Sequence, residues 1–196
     1  WWKGSGSLFD FTNPWMKEYF RRAVKHLADT GADGFKADDG EGYYVEGTEF
    51  HGESVPPRRM KNYYSRLYLE NAYEAWHEAA GDTVIWARSG TSGTQKYSIP
   101  WSGDHNADWG PNGLRSAVVC GQSAAMSGFS VWGHDIAGYL GDPSPELFIR
   151  WTQFGALSPV METFMGSNQG VWDFGGDARE IARKYAKLHT SLFPYI

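Results

Sequence analysis

The 196-residue sequence predicts an α/β chain, a partial (β/α)8 barrel in which about five parallel strands alternate with helices. Short apolar runs suited to buried strands alternate along the chain with stretches of helical spacing. Polar residues gather directly after each apolar run, which is where a barrel carries its chemistry. No GxGxxG or GxxxxGK[ST] turn follows any of these runs, so a doubly wound nucleotide-binding sheet is disfavoured. A closed barrel takes about 250 residues, so about three strands lie outside this length. The open flank would expose apolar side chains and strand edges unless another chain supplies the missing segment.

The elements follow in order. Asn13-Pro14 reads as a helix start, and Met16, Phe20, Ala23, Val24 and Leu27 recur near helical spacing until Thr30-Gly31. Gly34 to Ala37 is a strand that runs into the acidic turn Asp38-Asp39-Gly40-Glu41. Pro57 to Ala80 is a helix ended by Gly81, and Thr83 to Ala87 is a strand closed by Arg88-Ser89-Gly90. Tyr97 to Trp101 is a strand before Ser102-Gly103-Asp104, and Gly113 to Ser127 is small and apolar enough for a buried helix. Strand Phe129 to Trp132, loop Gly133-His134-Asp135, helix Pro145 to Leu157, strand Met161 to Phe164 and helix Ala178 to Leu192 complete the alternation.

Composition narrows the function. Eighteen Lys and Arg against 23 Asp and Glu give a net charge of −5, without the basic surface that nucleic acid binding requires. Ten Trp, eleven Tyr and eleven Phe supply flat apolar faces with polar edges, the surfaces on which sugar rings stack. The single Cys120 excludes an internal disulfide and reads as a small core residue. No run approaches the roughly 18 apolar residues of a membrane span, so no membrane partner is expected. The opening Trp1-Trp2-Lys3-Gly4 has neither a Met nor leader-like character, and reads as a cut inside a longer protein.

Two strand-end acids suit glycoside cleavage with retention, which needs one carboxylate to attack the anomeric carbon and a protonated carboxyl to release the leaving oxygen. Asp38 and Asp104 end different strands, on a scaffold rigid enough to fix their spacing. Helix capping or pairing with Arg would use the same residues equally well. Calcium binding by Asp38, Asp39 and Glu41 is a weaker reading, because the alternating acidic ladder of a calcium loop is missing.

Five motifs occur in one order: Asp33-Gly34-Phe35-Lys36-Ala37-Asp38-Asp39-Gly40-Glu41, Arg88-Ser89-Gly90, Trp101-Ser102-Gly103-Asp104, Trp132-Gly133-His134-Asp135-Ile136 and Arg150-Trp151-Thr152-Gln153-Phe154-Gly155-Ala156. Together they resemble glycoside hydrolase family 31, from Trp2 to the closing Leu192-Phe193-Pro194-Tyr195. The resemblance implies that residues 1–196 are a single segment, the later portion of that family's catalytic barrel, with the rest of the barrel and any accessory domains outside it. It implies a retaining α-glycosidase without cofactor or metal, acting on an α-glycoside or oligosaccharide. The alternatives are an α-transglycosylase, or an inactive barrel fragment that only binds carbohydrate.

By the same resemblance Asp38 is the nucleophile and Asp104 the general acid/base, with Glu41 behind the nucleophile. Lys36 supplies positive charge beside Asp38 and can reach a ring hydroxyl. Trp101 helps to desolvate Asp104. Arg88 reaches sugar hydroxyls, or forms a buried ion pair with Asp135, and both can hold. Trp132 and Tyr139 form apolar walls of the sugar subsite, although isolated aromatics are more often core. His134 reads as a loop residue, and Arg150 and Trp151 as packing residues of a helix.

One segment departs from the family pattern. Where many members carry an Arg-x-His whose His bonds a sugar hydroxyl, this chain has Glu162 and Phe164. A phenyl ring offers no hydrogen bond, so Phe164 is expected at the sugar subsite with weaker discrimination at that hydroxyl, or room for a substituent.

Overall fold

The computed structural model describes residues 5–52 and 55–196; the opening Trp1–Gly4, where the resemblance begins, lies outside the described residues. The chain forms two compact units, Trp1–Ile99 and Pro100–Ile196.

In the first unit α1 (Pro14–Asp29) starts as its sequence requires. Asn13 is extended and its side chain accepts the Trp15 N–H, while Pro14 occupies the first turn. β1 (Phe35–Ala37), α2 (Pro57–Ala80) and β2 (Ile85–Ala87) follow. β1 and β2 pair in parallel, with Phe35 opposite Ile85 and Ala37 opposite Ala87. The crossover helix α2 buries Leu69 and Ala72 against Ala37, Ile85 and Ala87, and Ala75 and Trp76 against Val24 of α1. A 3₁₀ helix, Gly42–Tyr44, lies between β1 and α2. β3 (Ile99–Pro100) is third in the sheet order β1-β2-β3.

The second unit holds α3 (Leu114–Met126), α4 (Pro145–Gly155), a 3₁₀ helix (Val171–Phe174) and α5 (Gly176–Leu192). Ser144 caps α4 by accepting the Leu147 N–H at 3.2 Å. Ile136, Leu147, Phe148, Trp151, Phe174 and Ala182 form one core. Parallel pairing continues through isolated bridges, Trp101 with Gly133 and Asp135 with Glu162.

The α/β class and the helix order stand as expected, but the last two expected strands, Phe129 to Trp132 and Met161 to Phe164, do not form as ladders. Pairing occurs at Gly133 and Asp135, later than the first run, and at the single residue Glu162 within the second. Pro100 has no N–H to extend a ladder, and only single carbonyls and amides meet: Gly133 N to Pro100 O at 3.0 Å, Val160 N to Trp132 O at 3.1 Å, Ile136 N to Glu162 O at 3.1 Å.

Helix α3 is not the buried helix its composition suggested. Only Ala117 and Gly121 are buried on it, Val119 and Met126 are exposed, and Cys120 is an exposed free thiol, not a core residue. Its inward face is built from small residues because the Trp132 ring lies against it: a Cβ on Gly121 would stand 2.0 Å from that indole. Among the described residues no helix is long and apolar enough to cross a membrane.

Candidate active site

In the first unit the register of the sheet builds the site. Since Ala37 stands opposite Ala87, the next residues, Asp38 and Arg88, leave the sheet side by side, and the Arg88 N–H still donates to the Ala37 carbonyl at 3.3 Å. The guanidinium then serves three carboxylates. NH1 lies 3.1 Å from Asp38 Oδ1, NH2 contacts Asp39 Oδ1, and Nε donates to Glu41 Oε1 at 2.7 Å. Burial opposes a charged guanidinium, but the hydrogen bond and charge of Glu41 and the charges of Asp38 and Asp39 outweigh it, so the Arg88 pKa is raised.

Arg88, expected at sugar hydroxyls, contacts the carboxylates of Asp38, Asp39 and Glu41. Lys36 sits two residues earlier on β1 with an exposed side chain. The carboxylates weighed for calcium converge on the guanidinium, and among the described residues no group of three His, Cys, Asp or Glu is placed to hold a metal.

Asp38 Oδ1 also accepts the Asp39 N–H at 2.8 Å. To give that bond and meet Arg88, Asp39 adopts a left-handed backbone, φ 56°, which a non-glycine residue holds only under the constraint of its surroundings. Tyr68 donates its hydroxyl to the Asp38 carbonyl at 3.1 Å. Burial first, and then the charge of Asp38, pushes the Tyr68 pKa up, so it stays a donor.

These groups open on a cleft of about 780 Å³, within the roughly 300–1,000 Å³ typical of small-molecule sites. Asp38, Asp39, Glu41 and Arg88 supply its polar part, and Phe9, Phe11, Phe20, Tyr43, Tyr44, Tyr64 and Tyr68 its aromatic walls. Sequence reasoning missed this aromatic wall. The Gly42-Tyr43-Tyr44 run directly after the acidic turn was the available signal.

In the second unit Trp101 is buried and Asp104, three residues on, is exposed. Gly103 takes φ 80°, and the His105 N–H returns to the Gly103 carbonyl at 3.1 Å, so Asp104 sits at the apex of a tight turn that glycine makes possible. The His105 carbonyl accepts the Tyr139 and Leu140 N–H groups, both at 2.9 Å. That ties the Asp104 turn to the Tyr139 loop. Tyr139 stacks on Phe164, centroids 5.5 Å apart at 18°, and Phe164 is 54% exposed. Asp104, Tyr139 and Phe164 therefore belong to loops held together by backbone hydrogen bonds and one aromatic stack.

Asp135 is fully buried and bridges to Glu162, whose Oε1 is buried with no hydrogen-bond partner among the described residues. Trp132, expected as a sugar wall, packs with its ring 6.2 Å from that of Phe154 of α4 and over Gly121 of α3.

His134 lies in a loop, as expected, and is fully buried there. Trp151 Nε1 donates to its Nδ1 at 3.0 Å, its Nε2 meets Ser158 Oγ at 3.1 Å, and Ser158 donates to the Phe154 carbonyl at 3.2 Å. Because indole only donates, Nδ1 must be bare and the ring neutral. Burial, reinforced by His105, pulls its pKa down to about 3.

The chain matches the family model of the "Glycosyl hydrolases family 31 TIM-barrel domain" over residues 1–196. It is 34% identical to an α-xylosidase of Emericella nidulans over 100% of this chain and 25% of that protein. It is 36% identical to a sulfoquinovosidase of Escherichia coli over 97% of this chain and 30% of that protein. The solved structure of a cycloalternan-forming enzyme from Listeria monocytogenes, in complex with a pentasaccharide substrate, superposes with a TM-score of 0.82 at 32% identity, over 96% of this chain and 19% of that one. The chain thus spans between a quarter and a third of the two curated relatives. From its parallel β–α alternation and a match along its whole length, the chain belongs to glycoside hydrolase family 31 and is a stretch of that family's TIM-barrel domain.

Proposed function

We propose that the intact protein is a retaining α-glycosidase that removes a terminal α-linked pyranoside by double displacement, with Asp38 as nucleophile and Asp104 as general acid/base. The observation that carries this reading is Asp38 itself: a strand-end carboxylate on a sugar-sized aromatic cleft, with Oδ1 held by Arg88 and the Asp39 N–H. A carboxylate fixed through one oxygen can present the other to the anomeric carbon.

In the first step Asp38 Oδ2 forms a bond to the anomeric carbon as the bond to the leaving oxygen breaks, and Asp104 gives that oxygen its proton. In the second, Asp104 takes a proton from water, the water oxygen bonds to the anomeric carbon, and the bond to Asp38 breaks. Two inversions give net retention. Arg88, anchored by Glu41 and Asp39, holds the Asp38 carboxylate in place between turnovers.

If a sugar hydroxyl replaces water in the second step the product is a transferred glycoside, and the likeness to a cycloalternan-forming enzyme supports that second reading. The glycone is a neutral or substituted pyranoside; the α-xylosidase and sulfoquinovosidase relatives and Phe164 in place of a hydrogen-bonding residue favour sugars other than plain glucose. The test is a panel of aryl α-glycosides (gluco, xylo, galacto, sulfoquinovo) on the intact protein, with proton NMR of the first anomer formed. Release of the α-anomer is expected; a β-anomer, or no release from any member, refutes the mechanism.

A further inference from the structure

Two tyrosines of the cleft are explained neither by packing among the described residues nor by the chemistry at Asp38. Tyr43 and Tyr44 line the same cleft as Asp38 and Arg88, yet are 66% and 51% exposed. Single exposed rings on a protein surface are ordinary; adjacent rings held out on fixed backbone are not. The 3₁₀ helix that carries them is pressed onto α2 so closely that a Cβ on Gly42 would lie 2.1 Å from the Lys61 carbonyl oxygen. On its other side Val45 is buried with Phe11, Met60 and Tyr64, and the Thr48 hydroxyl donates to the Tyr44 carbonyl at 3.1 Å. Upstream, Ser65 donates to the Gly40 carbonyl at 2.9 Å. Lys61 Nζ stands 5.3 Å from the Tyr43 ring centroid, a cation–π contact that restrains the ring.

We propose that Tyr43 and Tyr44 form an aromatic subsite for the leaving-group sugar of a disaccharide or longer α-glycoside, beside the pyranose that Asp38 attacks; this rests on the glycosidase reading above. The C–H face of a pyranose is apolar and its hydroxyls lie around the rim, so it fits a tyrosine with its apolar ring and polar tip. Rings carried on a backbone already fixed at Gly42 and Val45 need no loop ordering when a sugar arrives, so the contact gives affinity at low ordering cost. The cleft, about 780 Å³, lies in the upper part of the usual ligand-site range.

The experiment compares two substrates with one glycone on the intact protein: an α-glycosyl fluoride, which has no leaving sugar, and the matching α-1,6-linked disaccharide, with glucose, xylose, galactose and sulfoquinovose as glycones. Tyr43→Ala and Tyr44→Ala are expected to lower kcat/KM on the disaccharide by about 2- to 12-fold each, the range of one aromatic contact. They should leave the fluoride within about twofold, which also reports correct folding. Tyr43→Phe and Tyr44→Phe should keep most of the disaccharide rate. Equal losses on both substrates, or no loss on the disaccharide, overturn the subsite while the glycosidase reading stands. A wild-type protein that cleaves neither substrate overturns both.

Discussion

Glu41 Oε1 accepts the Nε–H of Arg88 at 2.7 Å, so the guanidinium that contacts Asp38 is anchored from its stem side. Of the three carboxylates on Arg88, Glu41 is the most buried, 24% exposed against 56% for Asp38 and 50% for Asp39. All three line the cleft; on the proposed mechanism Glu41 positions Arg88 and Asp38 attacks.

Removing that anchor should cost activity more than stability. A hydrogen bond to a charged group contributes about 1.5–3 kcal/mol, so Glu41→Ala is expected to lower kcat/KM by roughly 10- to 150-fold. Glu41→Gln keeps an acceptor for Nε and should recover part of the loss. An Ala variant with wild-type kcat and KM would show that Arg88 needs no anchor.

The two catalytic assignments separate kinetically. Asp38→Asn should abolish turnover of every substrate, since no covalent intermediate can form. Asp104→Ala should slow substrates with poor leaving groups most, because those need the acid, and azide should partly restore deglycosylation by replacing activated water. Uniform loss across leaving groups, unaffected by azide, would remove Asp104 from the acid/base role.

Phe164, half exposed and stacked on Tyr139, is expected to decide discrimination at one sugar hydroxyl. Phe164→His restores a hydrogen-bonding ring, and a neutral hydrogen bond of about 0.5–1.5 kcal/mol should raise kcat/KM for an α-glucoside by roughly 2- to 12-fold relative to the α-xyloside. A wild type that already prefers the glucoside, with no gain in the variant, ends the specificity argument.

His134 ties stability to pH. Its folded pKa, about 3, lies below the ordinary 6.5, so between these values the unfolded chain binds a proton that the folded chain refuses. The contribution is complete above about pH 6.5 and is lost as pH falls toward 3. His134→Gln, which can accept from Trp151 and donate to Ser158 without titrating, should flatten the fall in melting temperature from pH 7 to pH 4.5. Nitrogen NMR at pH 5 should find Nδ1 unprotonated; an imidazolium signal at that pH would contradict the buried network.

Local sequence determined the alternation of elements and where the chemistry-bearing residues fall along it. Asn13-Pro14, Ser144-Pro145 and Gly81 mark helix ends because capping and the left-handed turn depend on a few neighbouring residues. Asp38 and Arg88 could be read as strand-end residues because β1 and β2 are apolar runs that stop where polarity begins. Tertiary structure decided what those residues meet. Arg88 reaches Asp38, Asp39 and Glu41 because the parallel register sets Ala37 opposite Ala87, and register is a property of two strands 50 residues apart in their first members, Phe35 and Ile85. Trp132 faces helices α3 and α4, Cys120 lies at the surface, and the last two strands shrink to bridges for the same reason: one-dimensional periodicity marks which residues are apolar, while burial and pairing depend on which partner surface arrives.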